Sequence, residues 1–381
     1  MTIVLWVRAR RNRLAGAGLH SLVFWSVILM SGCDTSSRPD PLDPDPLDLE
    51  SLDTDRLDIG AARAVTFDGA HNAFPSIALL PDSSLFLVYR KGRSHRGTRG
   101  HIVARQSRDR GTSWGEERVL FEHPDFDLRD PSLTSLSNGE MGLSFFRYNV
   151  TTSAPTGVRY SSSSDGGQTW RPDVAVLEGP VATSSPVVEQ DDGLFLLPVY
   201  EFAETGTPVV SLVSSPDRGQ TWVRRSVVVR DEGEGQVYTE AAPSLLGGER
   251  LMLLVREEVH KDLHAVYSDD GGVSWTLPQL AIRDGWGGPS LLTLSDGRLL
   301  ASFRATSAGY PIGVALGTSD GQRWGSTRRF EAATGLPDTR VEQSVYAEAI
   351  YVGDRVLMAY GVEGGARADI RVRWIRVVEG T

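Results

Sequence analysis

Short apolar runs separated by polar turns fill the chain from about residue 61 onward. The segment 289–324 shows this most plainly, because its apolar runs PSLLTL, LLASFR and IGVALG alternate with the polar stretches SDGR, ATSAGYP and TSDGQR. Runs of this length between turns rich in Gly, Asp and Ser are typical of β-strands. The pattern therefore predicts an all-β domain made of short strands.

The strands are grouped in units that repeat about every fifty residues. One marker is an acidic, Gly-rich box ending in tryptophan, as in SSDGGQTW and SPDRGQTW, and its tryptophans are Trp114, Trp170, Trp222, Trp275 and Trp324. The other marker is a proline that opens an apolar run, and it recurs as Pro75, Pro131, Pro186, Pro243 and Pro289. Four strands in about fifty residues is the spacing of a propeller blade.

Five boxed units are followed by a sixth without a box, at residues 344–377. We therefore predict a six-bladed β-propeller with four-stranded antiparallel blades, over residues 61–381. Segment 62–67 is expected to supply the outer strand of the sixth blade and to close the ring, which removes exposed sheet edges.

The box itself has the chemistry of a tight hairpin. Its Asp can accept backbone hydrogen bonds, its Gly can adopt a positive φ, and its Trp can bury a large ring under the turn. A calcium loop would need more oxygen ligands than the single carboxylate that each box reliably offers, so no metal is expected. Each box forms the turn between the third and fourth strands of its blade. These turns lie on one face of the propeller, and the functional residues are expected on the opposite face.

The N-terminus has the order of a secretion signal. A basic segment containing Arg8 to Arg13 precedes an apolar run at 19–30, which is shorter than the roughly 20 residues needed to span a bilayer. The run meets MSGC, which resembles a bacterial lipobox, and Cys33 is the single cysteine of the chain. We expect a signal peptide at 1–33, lipidation of Cys33, and an anchored protein of the bacterial cell envelope. The acidic, proline-rich segment 34–60 reads as an extended tether.

Charge narrows the class of partner. The whole chain carries a formal charge of −10, and the part beyond residue 60 still carries −7 once the basic signal and the acidic tether are set aside. So acidic a domain is a poor candidate for binding nucleic acid. We expect contact with a membrane only through the lipid anchor, and a monomer.

Arginines nevertheless recur at one position of the blades. In each blade, the first strand starts and the second strand ends on the same face of the propeller. We call this face the mouth. Four second strands end in arginine: Arg90, Arg147, Arg256 and Arg304. Arginines gathered at one mouth would recognise a carboxylate, sulfate or phosphate. Alternatively, each arginine only pairs with a local acid.

The repeated box resembles the Asp-box of the sialidase (neuraminidase) superfamily over roughly residues 65–378. The resemblance implies a six-bladed propeller, and it implies roles for two further residues. Glu240, which starts the strand before Arg256, is similar to the family's glutamate, and Tyr346 is similar to its nucleophilic tyrosine. A phenol suits a substrate whose carboxylate would repel a carboxylate nucleophile.

The second blade opens with Arg129-Asp130-Pro131, similar to a motif that starts this blade in many sialidases. Asp130 is expected at the mouth, where it could bind a sugar hydroxyl or donate a proton, and Arg129 is expected to help bind the substrate. Arg129 and Arg147 should keep Asp130 ionised, which suits binding better than acid catalysis.

Two features depart from the sialidase pattern. The first blade has Ala73-Phe74-Pro75 where the family has an arginine, and Arg90 is a candidate replacement. The following loop, 90–101, contains no acid to act as acid/base catalyst. His95 could donate a proton there or contact the substrate, because histidine titrates near neutral pH.

The sequence therefore favours a cofactor-independent exo-glycosidase that removes a terminal acidic sugar, such as sialic acid, from a glycan. Two alternatives stay open. One is a lipid-anchored propeller that binds carbohydrate without catalysis, and the other is a polysaccharide lyase that abstracts a proton with His95 and Tyr346.

Overall fold

The structure, a computed structural model, describes residues 52–202, 207–231, 233–306, 310–330, 342–364 and 367–377. These residues belong to one compact unit, Pro46–Thr381. The predicted signal, Cys33 and most of the predicted tether lie outside the described residues. Within the described residues, no helix has both the length and the apolar character needed to cross a bilayer.

The strands, numbered in chain order, are grouped in antiparallel meanders. A 3₁₀ helix (Thr54–Arg56) and two short strands, β1 (Leu57–Ile59) and β2 (Arg63–Ala64), come first. The next two meanders are β3 (His71–Leu79), β4 (Leu85–Gly92), β5 (His101–Ser107) and β6 (Arg118–Phe121), then β7 (Phe126–Ser135), β8 (Met141–Asn149), β9 (Ala154–Ser163) and β10 (Val174–Glu178).

The third meander has an interrupted inner strand, because β11 (Val181–Ala182) and β12 (Val188–Glu189) both pair with β13 (Phe195–Phe202). It continues with β14 (Pro208–Ser215) and β15 (Val223–Val229). The remaining strands are β16 (Tyr238–Leu245), β17 (Leu251–Glu257), β18 (Leu263–Ser268), β19 (Gln279–Ile282), β20 (Ser290–Thr293), β21 (Leu299–Arg304), β22 (Ile312–Gly317), β23 (Arg328–Phe330), β24 (Glu342–Val352), β25 (Arg355–Gly364) and β26 (Arg367–Val377).

The meanders are arranged in a ring. Inner strand β3 contacts β7 on one side and β24 on the other, and β16 and β20 continue the series to β24. A single parallel bridge between His71 and Ala368 joins β26 to β3, so the first and last meanders form one nine-stranded sheet. The architecture is a β-propeller of four-stranded antiparallel blades.

The middle strands of the blades are buried on both faces. All six residues of β21 and all six of β22 are buried, because each blade packs against a neighbour on either side. Strands buried in this way read as continuous apolar runs rather than as alternating ones. This explains why the runs LLASFR and IGVALG were recognisable in the sequence.

The last blade is completed by residues from the start of the domain. β1 pairs with the end of β26, and β2 pairs with its middle, Arg371 and Val372. Segment 62–67 pairs with the last blade as predicted, through β2 and through the N–H groups of Val65 and Thr66, which donate to the carbonyl of Ile370. Segment 57–59 extends this pairing, so the propeller begins before the predicted boundary at residue 61. Leu57 is 1% exposed while Asp58 faces solvent, so this end of the predicted tether has the alternation of a strand.

The boxes form the predicted hairpins. In the second box, Thr169 donates its backbone N–H and its hydroxyl to the Asp165 carboxylate, at 2.9 and 2.5 Å, and Gly167 N–H donates to Ser163 Oγ. Gly167 has a φ of +79°, and a Cβ there would lie 2.6 Å from the Phe86 ring, so only glycine fits. The boxes lie away from the mouth, since Ser268 of the fourth box pairs with Leu251, at the opposite end of β17 from Arg256.

These hydrogen bonds predict how the fold responds to acid. Hydroxyl donors, chiefly Ser113, Thr169 and Thr221, lower the pKa of Asp109, Asp165 and Asp217 from 3.8 to about 2. Because the folded pKa is depressed, this contribution to stability is complete above pH ~4 and is lost as the pH falls towards ~2. Asp165→Asn should flatten that part of the curve of unfolding free energy against pH, measured by urea denaturation. Asp191→Asn, at an exposed turn, is the control, and equal acid sensitivity of both variants and wild type would refute the assignment.

Candidate active site

Several inner strands begin with an irregularity that turns a side chain towards the mouth. The pairing register shifts between Ala73 and Ser76, between Arg129 and Ser132, and between Val345 and Ala347. Three non-glycine residues at these shifts have left-handed φ angles: Phe74 (57°), Asp130 (49°) and Tyr346 (46°). Such a backbone costs on the order of 1–3 kcal/mol per residue and is often found at functional sites.

The mouth contains a cavity of about 810 Å³. Its lining has two chemically different sides. Aromatic and apolar side chains from the second and third blades include Phe146, Tyr148, Tyr200 and Phe202, whereas the charged side includes Arg129, Asp130, Glu240, Arg256, Arg304 and Tyr346. The site residues predicted from the sequence therefore meet in part at one cavity.

At the centre of the charged side is a hydrogen-bonded group of three residues. Tyr346 Oη donates to Glu240 Oε1. Arg256 Nη1 donates to the same oxygen at 2.8 Å, and Gly288 N–H donates to Glu240 Oε2 at 2.7 Å. The close approach depends on glycine, because a Cβ on Gly288 would lie 2.5 Å from Tyr346 Cδ1.

This network sets the protonation states of its members. Burial raises the pKa of Glu240, but Arg256, Gly288 N–H and the Tyr346 hydroxyl outweigh burial and bring it below its usual value. Burial, together with the charges of Glu240 and Asp130, raises the pKa of Tyr346 well above its usual value. At neutral pH the pair is therefore a neutral phenol hydrogen-bonded to a carboxylate.

Arg256 and Arg304 converge beside this pair. A Cβ on Gly287 would lie 2.9 Å from Arg304 Nη2 and 3.3 Å from Arg256 Nη1, so both guanidinium groups lie against that glycine. Both guanidinium groups lie over the Trp286 ring. The ring centroid is 4.1 Å from Arg304 Cζ and 4.8 Å from Arg256 Cζ. Glu258 fixes the arrangement by accepting from Arg256 Nη2 and Trp286 Nε1, each at 2.9 Å.

Asp130 lines the same cavity as the Tyr346 phenol. Ser184 Oγ donates to its Oδ2 at 2.8 Å, while Oδ1 is buried and accepts no hydrogen bond from the described residues. Burial raises the pKa of Asp130 to about 7, although Arg129 lowers it. The structure does not support the expectation of a firmly ionised Asp130, because Arg147 pairs with Asp173 instead and burial outweighs Arg129 and Arg90.

The predicted convergence of four strand-end arginines is also wrong for two of them. The Arg90 side chain is 0% exposed, forms a bidentate pair with Asp127 at 2.7 and 3.0 Å, and holds the loop carbonyls of Ser94 and Thr98. Arg147 pairs with Asp173 at 2.9 Å and does not line the cavity. Local acids, rather than a shared ligand, determine where these two arginines point.

Arg129, rather than Arg90, lines the cavity beside Phe74. Its guanidinium lies 5.0 Å from the Phe74 ring and 5.6 Å from the Tyr148 ring, and it lines the cavity. Arg129 Nη1 also donates to the carbonyl of His95, at 2.7 Å, which ties the loop of the first blade to the mouth. His95 lines the cavity, its ring centroid lying 5.5 Å from that of Phe74.

Sequence reasoning missed Trp286 and Glu363, which line this cavity, and Glu258, which pairs with Arg256 beside it. Each had a positional signal, since Trp286 lies just before an inner strand and Glu258 lies two residues after Arg256. Glu363 lies three residues after Tyr360, at the end of the second strand of the last blade. Tyr360 itself is fully buried and accepts a hydrogen bond from Arg373, so residues beyond the strand-end position carry the polar groups.

The ring of blades defines a β-propeller, and a tyrosine, a glutamate and arginines meet at its mouth. Residues 128–358 match the family model described as BNR repeat-like domain, and because this is more than half of the chain, the protein belongs to that family. A search of curated protein sequences found no match.

Solved structures share the fold at low identity. The chain is similar to a protein of unknown function from Dyadobacter fermentans, with a TM-score of 0.74, 19% identity, and coverage of 84% of this chain and 99% of that one. It is similar to the Hadza microbial sialidase Hz136, with a TM-score of 0.64, 15% identity and coverage of 82% and 68%. It is also similar to the Trypanosoma rangeli sialidase, with a TM-score of 0.62 and 13% identity. That match covers 80% of this chain and 55% of the other, so this chain spans just over half of that protein.

The central ion pair predicts a large effect on stability. The side chains of Glu240 and Arg256 are 7% and 11% exposed, so Glu240→Ala leaves a buried cation with one carboxylate fewer. Breaking such a pair costs about 3–5 kcal/mol, and the lower end is expected because Glu258 still pairs with Arg256. Glu201→Ala, which removes the more exposed pair with Arg224, should cost only about 0–1 kcal/mol. Urea denaturation checks this, and equal costs for the two variants would contradict the proposed network.

Proposed function

We propose that this protein is an exo-glycosidase that hydrolyses the bond of a terminal acidic sugar, such as sialic acid, in a glycan. The observation that carries the proposal is the hydrogen-bonded group of Tyr346, Glu240 and Arg256 beside Arg304 in the cavity. Membership of the BNR repeat-like family and the likeness to sialidase folds are consistent with it.

The first chemical step uses the buried phenol. Tyr346 Oη attacks the anomeric carbon while Glu240 Oε1, already its hydrogen-bond acceptor, takes the phenolic proton. Attack by free tyrosinate is disfavoured by its raised pKa, so transfer of the proton within the pair is the route that the geometry supports. Water then releases the sugar from the tyrosine, and two displacements retain the anomeric configuration.

The leaving oxygen needs a proton, and Asp130 is the group suited to supply it. With a pKa of about 7, its carboxyl is largely protonated below neutral pH. His95 is the second candidate, but burial lowers its pKa and Glu363 only partly reverses this, so its ring is mostly neutral at pH 7. Asp130 thereby substitutes for the acid that the loop 90–101 lacks.

Substrate charge follows from the arginines. Arg256 and Arg304 converge at Gly287, and Arg129 lines the same cavity, beside Phe74. Planar guanidinium groups in a partly buried site favour a carboxylate over a hydroxyl group. The aromatic side chains of the opposite wall can pack against the apolar faces of a sugar ring.

Two broader features belong to the same proposal. Counting the nine-stranded sheet as two meanders gives six blades, which we infer for the intact ring. We further propose that Cys33 carries a lipid and holds the propeller at the bacterial cell envelope, where its substrate would be an exposed glycan.

A non-catalytic binding propeller is the second candidate, and the acid-free loop 90–101 favours it. An enzyme requires both the phenol and an acid, whereas a binder requires only the arginines. A binder should therefore retain acidic glycans on an array without releasing any sugar, and Arg256→Ala should abolish that retention.

Tyr346→Phe tests the nucleophile. We expect release from a fluorogenic sialoside or uronide to fall by at least about 10³-fold, because the phenylalanine ring has no attacking oxygen. Tyr351→Phe is the matched control on the same strand, since its hydroxyl bonds to Ser295 away from the cavity. Unchanged hydrolysis in Tyr346→Phe would rule out the tyrosine as nucleophile.

The pH profile tests Asp130. Because its neutral form donates the proton, kcat/KM should decline above pH ~7 in the wild type. Asp130→Asn should lose this alkaline limb and slow natural glycosides by about 10²–10⁴-fold, but slow aryl glycosides less because their leaving groups need less protonation. Ser184→Ala removes a hydrogen bond that lowers the Asp130 pKa, so it should move the limb to higher pH. A limb that stays in place in both variants would assign the acid to another group.

A further inference from the structure

A cluster of two histidines and one glutamate lies where the first and last blades meet. His71 begins β3, His95 lies in the loop after β4, and Glu363 lies near the end of β25. His71 Nε2 is 2.7 Å from Glu363 Oε1, and His95 Nδ1 is 3.1 Å from the same oxygen. The ligating atoms of all three residues lie within 4.8 Å of one another.

These residues supply the donor set of a zinc-type site. Two imidazole nitrogens and one carboxylate leave a position for water or substrate on a tetrahedral ion, as in catalytic zinc sites. Imidazole and carboxylate ligands also suit other divalent first-row metals, with zinc and copper among the more strongly bound. No step of the proposed hydrolysis uses His71 or Glu363.

The spacing requires the side chains to adjust. Zinc–ligand distances of about 2.0–2.2 Å place the ligating atoms of a tetrahedral site roughly 3.3 Å apart. The contacts of Glu363 with the two histidines are shorter, at 2.7 and 3.1 Å, so these pairs need to separate by a few tenths of an ångström. The two histidine nitrogens lie within 4.8 Å of each other. His95 is 28% exposed and lies on a loop, which gives it freedom to move, whereas His71 is fixed in a strand and is 0% exposed.

The cluster lies at the edge of the cavity. His95 and Glu363 line it, and the His95 ring contacts that of Phe74, which in turn lies 4.8 Å from the Tyr346 ring. Arg129 is the nearby cation, and part of its charge is balanced by Asp127, at 3.3 Å. An ion bound here would add positive charge to the blade in which Phe74 stands in place of an arginine.

We propose that His71, His95 and Glu363 bind one divalent transition-metal ion of the zinc type at the edge of the mouth. The cluster links the first and last blades, since His71 and Glu363 are 292 residues apart in sequence. Binding would therefore also stabilise the closure of the ring, by mass action on the folded state.

The test measures metal directly and needs no substrate, so it is independent of the proposed hydrolase activity. The protein is stripped with a chelator, dialysed against Zn²⁺, and analysed for bound zinc, and a parallel sample with Co²⁺ is read by visible absorption. We expect one ion per chain, a tetrahedral Co²⁺ spectrum, and a higher melting temperature with Zn²⁺. Glu363→Gln and His95→Ala should reduce bound metal to background.

His101→Ala is the matched control, since His101 follows the same loop but lies outside the cluster, and it should bind metal as the wild type does. If Glu363→Gln does not fold, His95→Gln carries the test, because His95 is partly exposed. Absence of bound metal in the wild type would overturn the proposal. Undiminished binding in the His95 and Glu363 variants would overturn it as well, because the ion would then lie elsewhere.

Discussion

The backbone at the starts of the inner strands constrains the rest of the mouth. Inner strands from several blades approach one another at the ring's centre, where a regular strand would direct alternate side chains into its neighbours. Phe74, Asp130 and Tyr346 instead adopt left-handed angles at register shifts, and Gly288, just before β20, has a φ of 53°. The packing of the ring holds these strained residues in place, and so presents an acid and a phenol to the same cavity.

Electrostatic compensation is the second constraint on the site. Arg256 pairs with both Glu240 and Glu258. The cationic groups of Arg256, Arg304 and Lys261 all lie within 4.8 Å of the Trp286 ring centroid. The aromatic face and the carboxylates allow several cations to lie close together in a domain that is acidic overall. Burial raises the pKa of both acids. The donors around Glu240 outweigh burial and keep that carboxylate charged, whereas Asp130 has fewer donors and its pKa stays raised.

Much of this could be read from the sequence, because the blades repeat. The box tryptophans and the prolines gave the strand order, and strand order alone brings Tyr346, Glu240 and Arg256 to one mouth. Arg90 and Arg304 occupy the same position in their strands, yet only Arg304 lines the cavity. The difference lies in Asp127, which a neighbouring blade places against Arg90, and such a contact has no signal in the pattern of either strand. The contact between His71 and Glu363 likewise exists only once the ring has closed.

Closure of the ring has a consequence for biosynthesis. β1 and β2 leave the ribosome before every blade, but their pairing partner, β26, is the last strand to be made. Leu57, which is 1% exposed in the finished fold, must therefore wait without its partner strand while all intervening blades are synthesised. The propeller cannot be completed blade by blade from its N-terminus, and its final step joins the oldest and the newest parts of the domain.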